Sequence, residues 1–428
     1  MVDSWCSYDW ANSAFATSVM ASLFPPFFRS LAVAGGQSPS GATASWAFTT
    51  AAALALAAVA APLIGAVADA TGRVKGTLAA FAAVSMLATG LFATIPEDGW
   101  LFAACLFVIA DLGFAGSIVL YESMLPRLFP GDDLDRVSAR GYAAGYAGGG
   151  LLLALHVLMI STPGTFGMPD RAFALRAAFV SVAAWWALFS IPFFRGVPEP
   201  SQFAQGNGGL AQRARGPSHP FVRLKRTFSE IRRYRETFAF LLAYWLYSDG
   251  MGTIIKMATA YGDEMGISLA DLAGALLLTQ FIGVPAALLF GRLAHRWGAR
   301  KALLSGLSVY VLVCAGASFM RSASHFYILA GVVGLVQGGC QALSRSLFAS
   351  MVPRRRAAEF FGFFTTSGRL AGIAGPLMFG LTGNLTGNSR FGILALAAFF
   401  LAGGALLMRV DFEAGARAAR ADENLADP

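Results

Sequence analysis

Twelve long apolar runs follow one another along this chain, each close to the roughly 20 residues that a helix needs to cross a bilayer. They fall at residues 8–31, 44–68, 76–95, 100–122, 138–161, 172–194, 238–261, 269–293, 301–320, 325–347, 358–382 and 390–409. In hydrocarbon only helices and closed barrels satisfy every backbone polar group. Barrel strands would be shorter and would alternate apolar with polar, so the runs predict an all-α integral membrane protein. Composition agrees: with 56% hydrophobic and 13% charged residues, the chain lacks the polar surface that soluble domains of this length require.

Positive charge is concentrated in alternate connections. One set holds Arg73 and Lys75, then Arg127, Arg136 and Arg140, then the stretch from Arg213 to Arg235, then Arg292, Arg296, Arg300 and Lys301, then Arg354, Arg355 and Arg356. The opposite set reads GGQSPSG, IPEDGW, YGDEMG and TGNLTGN. The positive-inside rule then predicts that the basic loops and both termini face the cytoplasm, by default across a bacterial-type plasma (inner) membrane. The net charge of +8 reads as this topology signal and as attraction to anionic lipid, not as a nucleic-acid footprint. The first run is expected to be an uncleaved anchor rather than a signal peptide. Cys6, Cys105, Cys314 and Cys340 have neither disulfide nor metal-site spacing.

The longest connection divides the runs six and six. The expected organisation is an N-terminal six-helix bundle (1–195), a cytoplasmic linker with a basic amphipathic helix (196–236), a C-terminal six-helix bundle (237–410) and a cytoplasmic tail (411–428). In the linker, Phe221, Leu224, Phe228 and Ile231 share one helical face among arginines, the pattern of an interfacial helix. A repeat supports the split. GAVADATGRVK at Gly65 recurs as GRLAHRWGARK at Gly291, and SMLP at Ser123 recurs as SMVP at Ser350. At the same offset Gly141 and Gly145 correspond to Gly368 and Gly372, small residues that let helices approach closely. Two pseudo-symmetric six-helix bundles follow, an arrangement that places substrate where the repeats meet and produces alternating access by rocking.

Gly65, Asp69, Gly72, Arg73 and Lys75 resemble the loop motif of the major facilitator superfamily, whose second copy here carries His295 in place of the acid. YDWANSAFAT at Tyr8, LLAYWLYSDG ending at Gly250, and QGGCQALSRSLFASMVP followed by AEFFGFF resemble the vacuole-effluxer-like branch, which includes autophagy-related fungal vacuolar proteins. The resemblance implies a small-molecule efflux transporter; amino-acid export is associated with the fungal relatives.

Charges inside the membrane persist only for a reason, since insertion scales put them at about 2.5–3.5 kcal/mol each. Asp111, Asp249, Lys256 and Arg369 lie within the apolar runs, with Asp9 and Glu122 nearer their ends. The fold implied by the resemblance sets the first, fourth, seventh and tenth spans around a cavity. That collects Asn12, Asp111, Asp249, Lys256, Gln337 and Gln341 into a candidate substrate site suited to a zwitterion. The alternative reading is that these groups form helix-to-helix ion pairs that only fix the bundle. Asp111 and Asp249 are the candidates for proton coupling. Gly65, Asp69, Gly72, Arg73, Lys75, Arg345, Glu359 and Arg369 are assigned to gating, and His156 to packing.

No phosphate loop, HExxH, GxSxG or clustered His and Cys is present, so neither an enzyme nor a cofactor is expected. The expected partners are a small-molecule substrate and membrane lipids, with a monomer as working state. The leading expectation is a secondary active transporter of a small polar solute. A lipid or drug translocator on the same fold, or a non-transporting membrane sensor, stays open beside it.

Overall fold

The computed structural model describes residues 1–129, 133–199, 234–267, 269–386 and 388–425, and every regular element among them is helical. The first passage is built from α1 (Val2–Ala14), a π-helical stretch (Phe15–Leu23) and α2 (Phe24–Ala34). Pro25 and Pro26, at the first positions of α2, lack the N–H groups that would continue an α ladder into the preceding turn. Next come α3 (Pro39–Thr71), α4 (Val74–Leu91), α5 (Trp100–Leu128), α6 (Asp133–Ser161) and α7 (Arg171–Gly196). The second set is α8 (Arg235–Glu264), α9 (Leu269–Trp297), α10 (Ala299–Ser318), α11 (Ala323–Ser350), α12 (Ala357–Thr386) and the pair α13 (Ser389–Ala395) and α14 (Ala397–Arg409). A last helix, α15, covers Phe412–Leu425.

Ten of these segments are long and apolar enough to cross a membrane. The remaining passages, Val2–Ala34 and α12, coincide with the runs read at 8–31 and 358–382. Leucines and phenylalanines such as Phe48, Leu87, Leu312, Leu377 and Leu385 are outward-facing and strongly exposed. That is the reverse of a water-soluble surface and fits lipid as solvent.

Local chemistry fixes the ends of the passages. Ser38 caps α3 by accepting the Gly41 N–H at 3.1 Å, and Asp170 caps α7 by accepting that of Phe173 at 2.7 Å. Gly72 ends α3 at φ +66°, in the left-handed region that favours glycine, which explains its place in the loop motif. The amphipathic helix read at Phe221, Leu224, Phe228 and Ile231 lies outside the described residues. The stretch from 411, read as a tail, instead carries α15. Asp411 caps it through the Ala414 N–H, and Phe412 sets its ring edge-on to Phe240 of α8 at 5.9 Å.

Within the first six passages α1 packs on α6 and α7, and α5 on α3 and α4; within the second six α8 packs on α12 and α14, and α11 on α9 and α10. The halves meet along α3 with α12 and along α6 with α9 and α11, joined by α5 with α12. Two glycines of the repeat occupy matching places in these seams. A β-carbon on Gly65 would overlap the backbone of Ala358 at the start of α12, and one on Gly291 would press on Ala139 of α6 at 2.7 Å. The repeat thus has a packing cause: each copy of the motif supplies a glycine where helices from opposite halves touch.

Candidate functional site

The loop motif lies at the end of the bundle that carries the basic connections, called here the basic end. Asp69, its side chain 2% exposed, forms an ion pair with Arg127 at the end of α5. Its other carboxylate oxygen accepts the Glu359 N–H at 2.9 Å. Glu359 is the third residue of α12, so Asp69 does for α12 what a capping residue does for its own helix, but from the opposite half. Arg127 also donates to the Arg354 carbonyl at 2.8 Å, and Arg356 reaches the Glu359 carboxylate at 3.1 Å. The remaining motif residues act elsewhere. Lys75 ties to its own half, through its Nζ to the Val197 carbonyl at 2.5 Å and its N–H to Glu199 at 3.0 Å. Arg73 and His295 are exposed.

A second link lies deeper. Arg345 of α11 is 1% exposed, and its guanidinium is held by the first half on every side. It donates to the Ser138 hydroxyl and carbonyl, both at 2.9 Å, and pairs with Asp9 at 3.4 Å. The rings of Tyr142, Trp5 and Tyr121 lie 4.4, 5.0 and 5.9 Å from it, a partly aromatic cage for a planar cation. Tyr121 donates to Asp9 at 2.8 Å, and Glu122 stands within electrostatic reach of both Arg345 and Asp9. Gly141, one of the repeated glycines, leaves the room that this cluster fills.

At mid-membrane depth Arg369 of α12 and Asp111 of α5 form a two-pronged pair at 2.7 and 3.3 Å, again across the halves. Asp249 of α8 accepts the Gly375 N–H at 2.9 Å, next to the Pro376 that interrupts α12. Lys256 follows two turns later on α8, and its side chain lies outside the described ones. Asn12 donates to the Tyr8 carbonyl of its own helix at 2.6 Å, and Gln341 accepts from Tyr146 at 3.2 Å. Of these six, Gln337 is among the described residues lining a cleft that lies toward the end opposite the basic one, together with residues of the first span, α6, and α8 to α11. His156 is buried between the Ser18 and Ser181 hydroxyls at 3.0 and 2.7 Å.

Asp9, Tyr121, Ser138 and Arg127 were not among the expected site residues. Asp9 stands in the YDWANSAFAT motif, and a charge beside an apolar run was signal enough to include it; Arg127 counted only toward topology. Among the described residues no cluster of three or more His, Cys, Asp or Glu is placed to hold a metal ion.

A family model described as vacuole effluxer Atg22 like matches residues 1–420. The chain belongs to this family. Among Atg22-like relatives, the MFS-type transporter YxiO of Bacillus subtilis (strain 168) is 36% identical over 413 residues, which are 96% of this chain and 95% of that one. Autophagy-related protein 22 of Cryptococcus neoformans var. neoformans serotype D (strain B-3501A) is 28% identical over 303 residues, 66% of this chain. The match spans about half, 54%, of that fungal protein's length. Among solved structures, the human organic anion transporter MFSD10 superposes with a TM-score of 0.70 at 16% identity, covering 95% of this chain and 98% of that one. The transporter FucP in its outward conformation gives 0.67 at 12% identity, covering 96% and 98%. The Atg22-like chain therefore has the major facilitator fold and is a multi-pass membrane transporter rather than an enzyme.

Proposed function

We propose that the protein is a secondary transporter working by alternating access, held here with its basic end closed, and that this end faces the cytoplasm. One observation carries the reading: among the described residues the three clusters of Asp69, Arg345 and Arg369 each join one half to the other, while the cleft lies toward the opposite end. Charges that only stabilised a bundle would need no such division. Asp69, Arg345 and Glu359 with Arg127 and Asp9 form the gate, Gly65 permits the close approach, and Gly72, Arg73 and Lys75 shape the loop. Arg369 takes part through Asp111. The orientation rests on the basic loops, and efflux across a bacterial-type plasma membrane agrees with the family's description and with a relative in a bacterium.

An amino acid as solute would engage Asp111 or Asp249 only after Arg369 or the Gly375 N–H lets go. Binding would then exchange partners instead of filling a waiting charge. Such an exchange is also how Asp111 or Asp249 can couple to a proton, the carboxyl group losing its partner as the cavity changes sides.

The test places spin labels on Arg73→Cys and Arg355→Cys, exposed residues of opposite halves, in a background lacking the native cysteines. Distances in proteoliposomes are expected to show a short population that gives way to a longer one in Asp69→Asn, by roughly tenfold in ratio, since the variant loses an ion pair and a charged cap. One unchanging distance across Asp69→Asn, Arg345→Ala and an imposed pH gradient would remove the alternating-access reading.

A further inference from the structure

The cleft has a composition that the charged residues of the bundle do not prepare one for. Its volume is about 140 Å³, room for a small molecule. Its walls are Ile254, Ala258, Leu276, Val313, Leu329 and Val333 with neighbours of the same kind, and no Asp, Glu, Lys, Arg or His is among its described lining residues. Several hydroxyls in the wall are already spent on backbone. Thr17 donates to the Ser13 and Gly149 carbonyls at 2.9 and 3.2 Å, Thr279 to those of Ala275 and Ala330 at 2.9 and 3.2 Å, and Tyr261 to that of Ala317 at 2.9 Å.

Two of the bundle's charges, Asp111 and Asp249, are engaged by α12. Asp111 is engaged by Arg369. Asp249 contacts α12 at Gly375, and at about 100° per residue it lies half a turn round α8 from Ala258, which lines the cleft. The one lining group whose polar atom is both buried and without a hydrogen bond among the described residues is Gln337, through its Oε1. An amide oxygen left so in an apolar wall is an acceptor awaiting a donor.

Resting on the transporter reading, we infer that this cleft binds an uncharged, mostly apolar molecule carrying a hydrogen-bond donor, which it presents to Oε1 of Gln337. A zwitterion entering the same space would give up the hydration of two charges and meet no opposite charge among the described lining residues. A neutral amphiphile buries apolar surface against the wall and satisfies the glutamine.

Cys314 lines the cleft and supplies the reporter. With Cys105, the exposed cysteine, changed to Ser, the modification rate of Cys314 is read by mass spectrometry in proteoliposomes. The reagents are methyl methanethiosulfonate, which is neutral, and its trimethylammonium and sulfonate counterparts. The neutral reagent is expected to react at least about tenfold faster than either charged one. N-acetylphenylalanine amide, uncharged and bearing N–H donors, is expected to protect Cys314, whereas phenylalanine is not. Gln337→Met is expected to weaken that protection about tenfold, measured against the variant's own unprotected rate. Equal rates for all three reagents, or equal protection by phenylalanine, would overturn the inference. Uptake of the same two probes separates it from the reading beneath it. Protection by the amide with no solute transported leaves the site and removes the transporter; transport of phenylalanine with Cys314 unprotected by the amide does the reverse.

Discussion

Arg369 would be among the most costly residues in the chain if it stood alone, a guanidinium 12% exposed on an apolar helix. Asp111 offsets that cost, and each makes the other tolerable. Arg369→Met therefore leaves a carboxylate that is 1% exposed without its counter-charge, and is expected to destabilise the protein by about 3–5 kcal/mol. The double variant with Asp111→Asn should recover most of the loss, because a neutral pair removes the buried charge altogether. Thermal unfolding in detergent of the two singles and the double measures the coupling; simple additivity would show that the pair does not interact. Both residues could be picked out of the sequence because a charge in an apolar run is conspicuous. Their partnership could not, since hydropathy reports the cost of a charge and not which helix answers it. The same limit applied to Asp9, Ser138 and Arg345, whose cluster joins residues far apart in the chain.

Helices were legible to the extent that they are continuous apolar runs. The boundaries at α4, α7, α10 and α11 follow hydropathy, with polar turns added beyond them. The π-helical stretch Phe15–Leu23 left no mark, because its side chains are as apolar as those of a regular helix. In α15 the buried face is made of Phe412, Gly415 and Ala419, too slight a pattern among its charges to stand out. Yet this helix rests on the gate. A β-carbon on Gly415 would lie 2.8 Å from the sulfur of Met351, at the end of α11, and the Asp411 N–H donates to Glu236 of α8 at 2.8 Å. Ending the chain at Val410 is therefore expected to expose the end of α11. Labelling of Met351→Cys, a position 0% exposed in the intact protein, should accelerate at least about fivefold in a background without native cysteines. An unchanged rate would show that α15 does not cover the gate.

For the molecule as a whole, the two copies of the loop motif have diverged in charge but not in packing. Gly65 and Gly291 both sit in seams between the halves, while Asp69 is buried in its seam and His295, its counterpart, is exposed. The second seam takes its polar contacts from Asp135 with Ser346 and from Arg345 with Ser138 and Asp9 instead. Gly65→Leu is accordingly expected to keep α12 away from α3, abolish transport, and fix the spin-label pair at its longer distance, with membrane insertion unaffected. A variant that still shows the short distance would mean that close approach at Gly65 is not required for closure. The repeat in the sequence announced two similar halves. It could not announce that one seam is ionic through the loop motif and the other through Arg345 and Asp135, because that depends on which residues the folded helices bring into register.

The caged guanidinium of Arg345 sets the terms on which the basic end can open. Stacked rings and a serine hold it as firmly as its carboxylate does, so no single broken bond releases it. Under the proposed alternating access, water is expected to enter the seam before the helices part, so that a wetting of the seam precedes any swing of the halves. Turnover should accordingly respond to agents that change the ease of hydrating a buried cation, even when they leave the membrane and the cleft alone.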